Sequence, residues 1–205
     1  MKKIYALHGH DNSFKTTITA IAKYFINGEK TNNDEYNILE LQKNINGYKI
    51  LQLQNILHFA DELKRQYYEL TKDKKIYQEL NKTEKEQSRE KLVEFAESQK
   101  QIHGNDIWAI HLLNKIKKDK FHNLFWIGDL RFETEYSSLV RLHNSEKYNF
   151  NVKFININVD TDDKTYYKKD DLKNNMFNYT ININNNKSYN EIIKDIYYQL
   201  KSILC

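Results

Sequence analysis

Lys3-Ile4-Tyr5-Ala6-Leu7-His8-Gly9-His10-Asp11-Asn12-Ser13-Phe14-Lys15-Thr16-Thr17 sets the frame for everything downstream. Lys3 to Leu7 is a short apolar run containing an isoleucine and a tyrosine, and Gly9 follows at once, so it reads as a buried strand entering a turn. From Lys15 to Ile26 the apolar residues Ile18, Ile21, Ala22 and Phe25 recur at three- and four-residue spacing, the stripe of an amphipathic helix. The chain therefore opens strand, loop, helix. The loop fits G-x-x-x-x-G-K-[S/T] at every fixed position except the second glycine, where Phe14 stands.

In that motif the loop amides and the helix N-terminus surround phosphate oxygens. Gly9, Asn12, Ser13, Phe14, Lys15, Thr16 and Thr17 form the expected cradle. Lys15 is placed to neutralise the β and γ phosphates of a nucleoside triphosphate, and Thr16 to offer its hydroxyl to Mg²⁺. The plain alternative is an ordinary strand-to-helix turn with a surface lysine. Phe14 is a departure with a physical meaning, because glycine there permits close backbone approach and unusual dihedrals.

Working outward, Gly47 to Leu53 alternates and reads as a second strand, and Ile56 to Leu70 returns to helical spacing through Leu57, Ala60, Leu63 and Tyr67. Thr71 to Ser98 is dense in Lys and Glu, with only Leu92, Phe95 and Ala96 as a narrow stripe. It reads as solvated helices outside the core, either a plain exposed hairpin or part of a binding region. A helix from Asp106 to about Lys118 follows, with Asp106 as a plausible N-cap. Then come an apolar strand Leu124 to Ile127, a helix from Glu133 to about His143, strands Val152 to Val159 and Asn178 to Asn184, and a helix Ser188 to Leu204 capped by Ser188. Alternating strands and helices argue for a parallel sheet covered on both faces, with ligands at the edge where strands run into helices.

The strand at Leu124 ends in Ile127-Gly128-Asp129-Leu130-Arg131-Phe132, with Glu135 a turn later. An apolar strand that delivers an Asp at its carboxyl end is what a metal-side carboxylate needs, usually holding Mg²⁺ through a water. Arg131 projects from the same edge and can pair with phosphate in bidentate fashion. The alternative is an Asp that caps a helix, with a nearby surface Arg. Lys15, Asp129 and Arg131 are the candidate catalytic residues. Trp108 suits core packing and a base platform equally.

Composition bounds the rest. The 205 residues are 40% hydrophobic and carry 32 Lys plus Arg against 28 Asp plus Glu, a net charge of +4. That is one domain with an insertion, and a basic excess too small and too dispersed for a nucleic-acid arm. The single cysteine, Cys205, forms no internal disulfide and no Cys/His metal cluster, which implies a reducing, cytoplasmic setting. No apolar run approaches the ~20 residues of a membrane span, so no membrane partner is expected.

Four segments in order, GHDNSFKTT, FADELKR, REKLVEFAESQKQIHGNDIWAIHLL and WIGDLRFETE, together resemble the deoxynucleoside monophosphate kinases of large DNA phages and viruses, a family of P-loop nucleotide kinases. The resemblance runs from about Lys3 to Glu135, roughly two thirds of the chain. It implies an adenylate-kinase-like three-layer α/β/α fold with a parallel five-stranded sheet. The core would be about residues 1–55, 120–159 and 175–205, with a helical monophosphate-binding insertion at about 56–119 and a short lid at about 160–174. It implies ATP as donor, Mg²⁺ as cofactor, a nucleoside monophosphate as acceptor, and host cytoplasm if the source is viral; a homodimer is possible. Lys15 and Thr16 match the phosphate-loop positions, Asp129 the metal-side carboxylate and Arg131 a phosphate-contacting arginine. Asp61, Lys64 and Arg65, in the element after the second strand, together with Arg89, Asp106, Trp108 and Arg131, are the residues expected to bind the monophosphate substrate. The chain departs from the family at Phe14, where relatives have glycine, and in the lid, where Asp160 to Lys169 holds lysines and no arginine.

Overall fold

The computed structural model describes residues 1–9, 13–27, 31–50, 55–77, 82–143, 145–160 and 172–204. Strand β1 (Lys3–His8) is followed by helices α1 (Lys15–Asn27) and α2 (Asp34–Ile50), strand β2 (Ile56–Leu57), and helices α3 (Phe59–Thr71), α4 (Lys82–His103) and α5 (Ile107–Lys118). Then come β3 (Leu124–Leu130), α6 (Glu133–His143), β4 (Asn151–Asp160), β5 (Tyr179–Asn184) and α7 (Tyr189–Leu204). The five strands form one parallel sheet in the order β2-β3-β1-β4-β5, as the alternation of elements predicts.

Side-chain alternation divides the core in two. Tyr5, Leu7, Trp126, Ile155, Ile157 and Ile181 face α1, α2 and α7, and Tyr5 stacks on Trp126 at 4.9 Å between ring centroids. Ile4, Ala6, Phe125, Ile127, Val152 and Phe154 face α3, α5 and α6. The loop after β1 thus leads to one face and the loop after β3 to the other, although β1 and β3 are hydrogen-bonded neighbours. Neighbouring strands whose following loops part in this way leave a crevice at their carboxyl ends, the usual ligand position of open parallel sheets.

One expected strand is a helix. Gly47 to Ile50 closes α2, and residues 51–54 lie outside the described set. The reason is packing: Ile38, Leu41 and Ile45, spaced three and four apart, are buried among α1 and α7 residues. Asn33 caps the helix by accepting from Glu35 N at 3.0 Å and Tyr36 N at 3.3 Å. The second strand is the two-residue β2, and the helix expected from Ile56 starts at Phe59.

Three other expectations meet the structure differently. Ser188 does cap α7, exchanging bonds with Glu191. Asp106 occupies the N-cap position of α5, yet its carboxylate makes no cap bond. The charged stretch includes α4, whose Phe95 and Ala96 pack against the core, so it is more than an exposed hairpin. Of the expected lid, residues 161–171 lie outside the described set. No described helix is long and apolar enough to cross a membrane.

Candidate functional site

The crevice between β1 and β3 is built first by the turn into α1. Phe14 has φ 59°, the left-handed backbone that glycine adopts most easily. The chain therefore has the dihedral associated with the missing glycine while carrying a ring, and that ring packs against the core cluster under α1 and α7. The carbonyl of Phe14 accepts from Ile18 N at 2.8 Å, which starts the helix. Lys15 Nζ turns back over the loop and donates to Gly9 O at 2.6 Å and Ser13 Oγ at 3.2 Å. A Cβ at Gly9 would stand 2.5 Å from Ser13 Oγ and 3.1 Å from Ile157 Cβ, so a side chain there would push the Ser13 hydroxyl aside. Thr16 is exposed on the first turn, whereas Thr17 is buried with its hydroxyl 3.2 Å from Tyr189 Oη. Asn12 lies outside the described residues.

The neighbouring strand contributes Asp129. Its Oδ1 accepts from Phe59 N at 2.9 Å and its Oδ2 from Ala60 N at 3.2 Å, so the carboxylate caps α3 from across the sheet. His58 Nδ1 lies 3.8 Å from Oδ1. Burial raises the Asp129 pKa, and His58 and the two amides oppose the rise. A Cβ at Gly128 would lie 2.5 Å from His58 Cε1, so a side chain there would displace the partly exposed His58 ring from beside Asp129.

Beside Asp129 opens a cavity of about 840 Å³, a volume suited to a nucleotide-sized ligand. Its apolar walls include Phe59 and Leu63 of α3, Leu92 and Ala96 of α4, Trp108 of α5, and Phe132. Four cations reach it from three sides, Lys64 on α3, Arg89 and Lys100 on α4, and Arg131 after β3, beside the carboxylates Glu97, Asp129, Glu133 and Glu135, of which Glu97 pairs with Lys100 at 2.8 Å. Trp108 Nε1 is buried and has no hydrogen-bond partner among the described residues. Trp126 Nε1 and Asn55 Oδ1, away from the cavity, are in the same condition.

Glu135 shares the cavity wall and was not anticipated as a site residue. Its Oε2 accepts from Arg131 N at 2.9 Å and Phe132 N at 3.1 Å, capping α6 and fixing the turn that presents Arg131. Burial lifts its pKa to about 7, the Asp129 charge adds to the rise, and the two amides and Lys100 act against it. The signal was an acid three residues into a turn before a helix, which sequence reading can recover. The bonds from Asp129 to α3 left no such signal, since they join residues about seventy apart.

Several expected substrate-side residues sit elsewhere. Arg65 points along α3, bonding Glu62 at 2.9 Å and Glu69. Asp61 is exposed and accepts from His58 N at 3.3 Å, a local cap at the start of α3. Asp106 accepts from Ser138 Oγ at 2.5 Å and pairs with Arg141, locking α5 to α6. Its contribution to the cavity is to hold the helices that line it.

Mg²⁺ takes hard oxygen ligands, and two of that chemical class stand on neighbouring elements: the exposed Thr16 hydroxyl on the first turn of α1, and the Asp129 carboxylate, both of whose oxygens already accept backbone N–H groups of α3. Among the described residues no group of three or more His, Cys, Asp or Glu could hold a metal by itself. No protein-family model matches the chain, and no curated protein matches it in sequence.

Proposed function

We propose that this chain is a P-loop kinase that transfers the γ-phosphoryl group of Mg-ATP to a nucleoside monophosphate, with a deoxynucleotide as the expected acceptor. The observation that carries the reading is a juxtaposition. A strand-loop-helix turn holding Lys15 adjoins the strand that ends in Asp129, and Asp129 also walls a large, partly apolar cavity reached by Lys64, Arg89, Lys100 and Arg131. The sequence resemblance names the acceptor class.

In this reading the donor triphosphate lies on the α1 N-terminus, and the acceptor base lies against Trp108 and the apolar wall. An oxygen of the acceptor phosphate attacks the γ-phosphorus in line. The bond from that phosphorus to the β,γ-bridging oxygen breaks, and ADP and a nucleoside diphosphate leave. The acceptor oxygen is already anionic, so catalysis consists of positioning and charge stabilisation. Lys15 takes up charge on the donor side and Arg131 on the transferred group, while Thr16 and Asp129 would hold Mg²⁺, which supplies charge neutralisation between the phosphates.

The test is ADP release with Mg-ATP and a panel of ribo- and deoxynucleoside monophosphates, beside Lys15→Ala and Asp129→Ala proteins. Acceptor-dependent turnover lost in both variants supports the kinase. A rise in melting temperature with ATP but no turnover with any acceptor overturns it in favour of a non-catalytic nucleotide-binding protein, the role that Phe14 in the loop would suit.

A further inference from the structure

At the opposite end of β1 from the phosphate loop lies a second, smaller cavity of about 280 Å³. The strand registers explain its chemistry. Lys3 pairs with Asn151, Tyr5 with Lys153, and Ile155 with Tyr179, and partners in a parallel ladder share a face. All five polar residues thus lie on the face that α1, α2 and α7 cover further along. Towards the carboxyl ends the same rows continue as Leu7, Ile155 and Ile157, which are buried in the core. Towards the amino ends the rows turn polar where α7 finishes, and Ile203 and Leu204 form the remaining wall.

This polar bay is unbalanced. Among the described residues no Asp or Glu lines it. Lys3 and Lys153 have no carboxylate partner among the described residues, and neither Tyr5 nor Tyr179 has a hydrogen-bond partner for its hydroxyl there. Tyr5 is only 7% exposed, its ring fixed on Trp126. None of these polar atoms is buried without a partner, so water serves the hydroxyls, while two like charges one diagonal apart repel each other. An anion relieves that repulsion and can accept from two ammonium groups, two hydroxyls and the Asn151 amide. Donors in that number favour a tetrahedral oxyanion over a carboxylate, which offers only two oxygens.

We propose that this bay is a phosphate-binding site separate from the nucleotide crevice, taking inorganic phosphate or the phosphate group of a small monoester. At about 3.3 Å per residue, the six residues of β1 put it roughly 20 Å from the phosphate loop, so the two sites do not share a ligand. The inference does not depend on the kinase reading.

Isothermal titration with inorganic phosphate, on Lys15→Ala protein so that the phosphate loop is weakened, tests it. One phosphate per chain is expected, with affinity falling roughly tenfold or more when Lys3→Gln and Lys153→Gln are added. Tyr5→Phe, which removes one hydroxyl and leaves the packing intact, should weaken binding severalfold. Glycerol phosphate is the second arm: tighter binding than phosphate assigns the site to monoesters, and equal or weaker binding assigns it to phosphate itself. No saturable heat beyond that of potassium chloride at equal ionic strength overturns the site, as does binding unchanged by both the lysine and the tyrosine substitutions.

Discussion

Phe59 donates its backbone N–H to Asp129 Oδ1 at 2.9 Å, so the residue expected to serve a metal also anchors the helix that opens the acceptor cavity. The two roles separate by substitution. Asp129→Asn keeps an oxygen for one of the two α3 amides, leaves the other facing an NH2 donor, and removes a buried charge. It should therefore lower unfolding free energy by about 1–3 kcal/mol, while turnover drops at least about a hundredfold. Urea unfolding and steady-state kinetics on one preparation check both halves.

Phe14 makes a backbone prediction. Its φ of 59° penalises any residue with a Cβ, and the buried part of its ring offsets the penalty. Alanine loses the ring and keeps the penalty, whereas glycine loses the ring alone. Phe14→Ala should be less stable than Phe14→Gly by about 1 kcal/mol in urea unfolding. Equal stability would mean that position 14 is not left-handed in solution.

Glu135 sets a pH dependence. Its pKa rises from the ordinary 4.5 to about 7 on folding, chiefly through burial. Between those values the unfolded chain ionises while the folded one keeps its proton, so stability falls as pH rises from 4.5 towards 7 and then levels off. Asp129, also raised, acts with the same sign. Glu135→Gln keeps an oxygen for the Arg131 and Phe132 amides, and should flatten this slope by on the order of 2 kcal/mol across the window. Chemical denaturation at pH 4.5 and pH 7.5 measures it.

Arg65 and Arg131 should part company in kinetics. Arg131 lines the cavity, and its replacement by alanine should raise the acceptor KM or lower kcat roughly tenfold or more. Arg65 is held by Glu62 and Glu69, and Arg65→Ala should leave the acceptor KM within about twofold. Its effect belongs at low pH instead. Arg65 holds the Glu62 pKa down at about 2, a contribution to stability present above 4.5 and lost as pH falls towards 2. Arg65→Ala should bring forward acid unfolding by a small margin, since Arg65 is half exposed.

Much of this architecture was legible from residue order. The β1-loop-α1 unit and the β3 edge were readable because each joins an unambiguous apolar run to a polar turn. The 34–50 helix was not read, although Ile38, Leu41 and Ile45 hold the helical period and Asn33 caps it. The alternation in Gly47 to Leu53 outweighed that signal, and a two-residue β2 is too short to show any period. Among the expected site residues, Lys15, Asp129 and Arg131 are each presented by their own strand or turn, which is why their placement could be read from residue order. Arg65, Asp61 and Asp106 were assigned to substrate by the company they keep in sequence, and their partners are a helix turn away or on another helix.

The chain leaves the sheet at β2 and returns on the strand hydrogen-bonded to it, so everything from α3 to α5 is a loop with both ends fastened side by side. Those three helices build most of the acceptor cavity, whereas Lys15 and Thr16 belong to the part of the fold outside that excursion. The excursion is thus a natural cassette. On the kinase reading proposed above, grafts that replace it between Leu57 and Leu124 exchange the preferred acceptor while leaving donor handling in place, and substrate choice can drift by the same route without rebuilding the donor side.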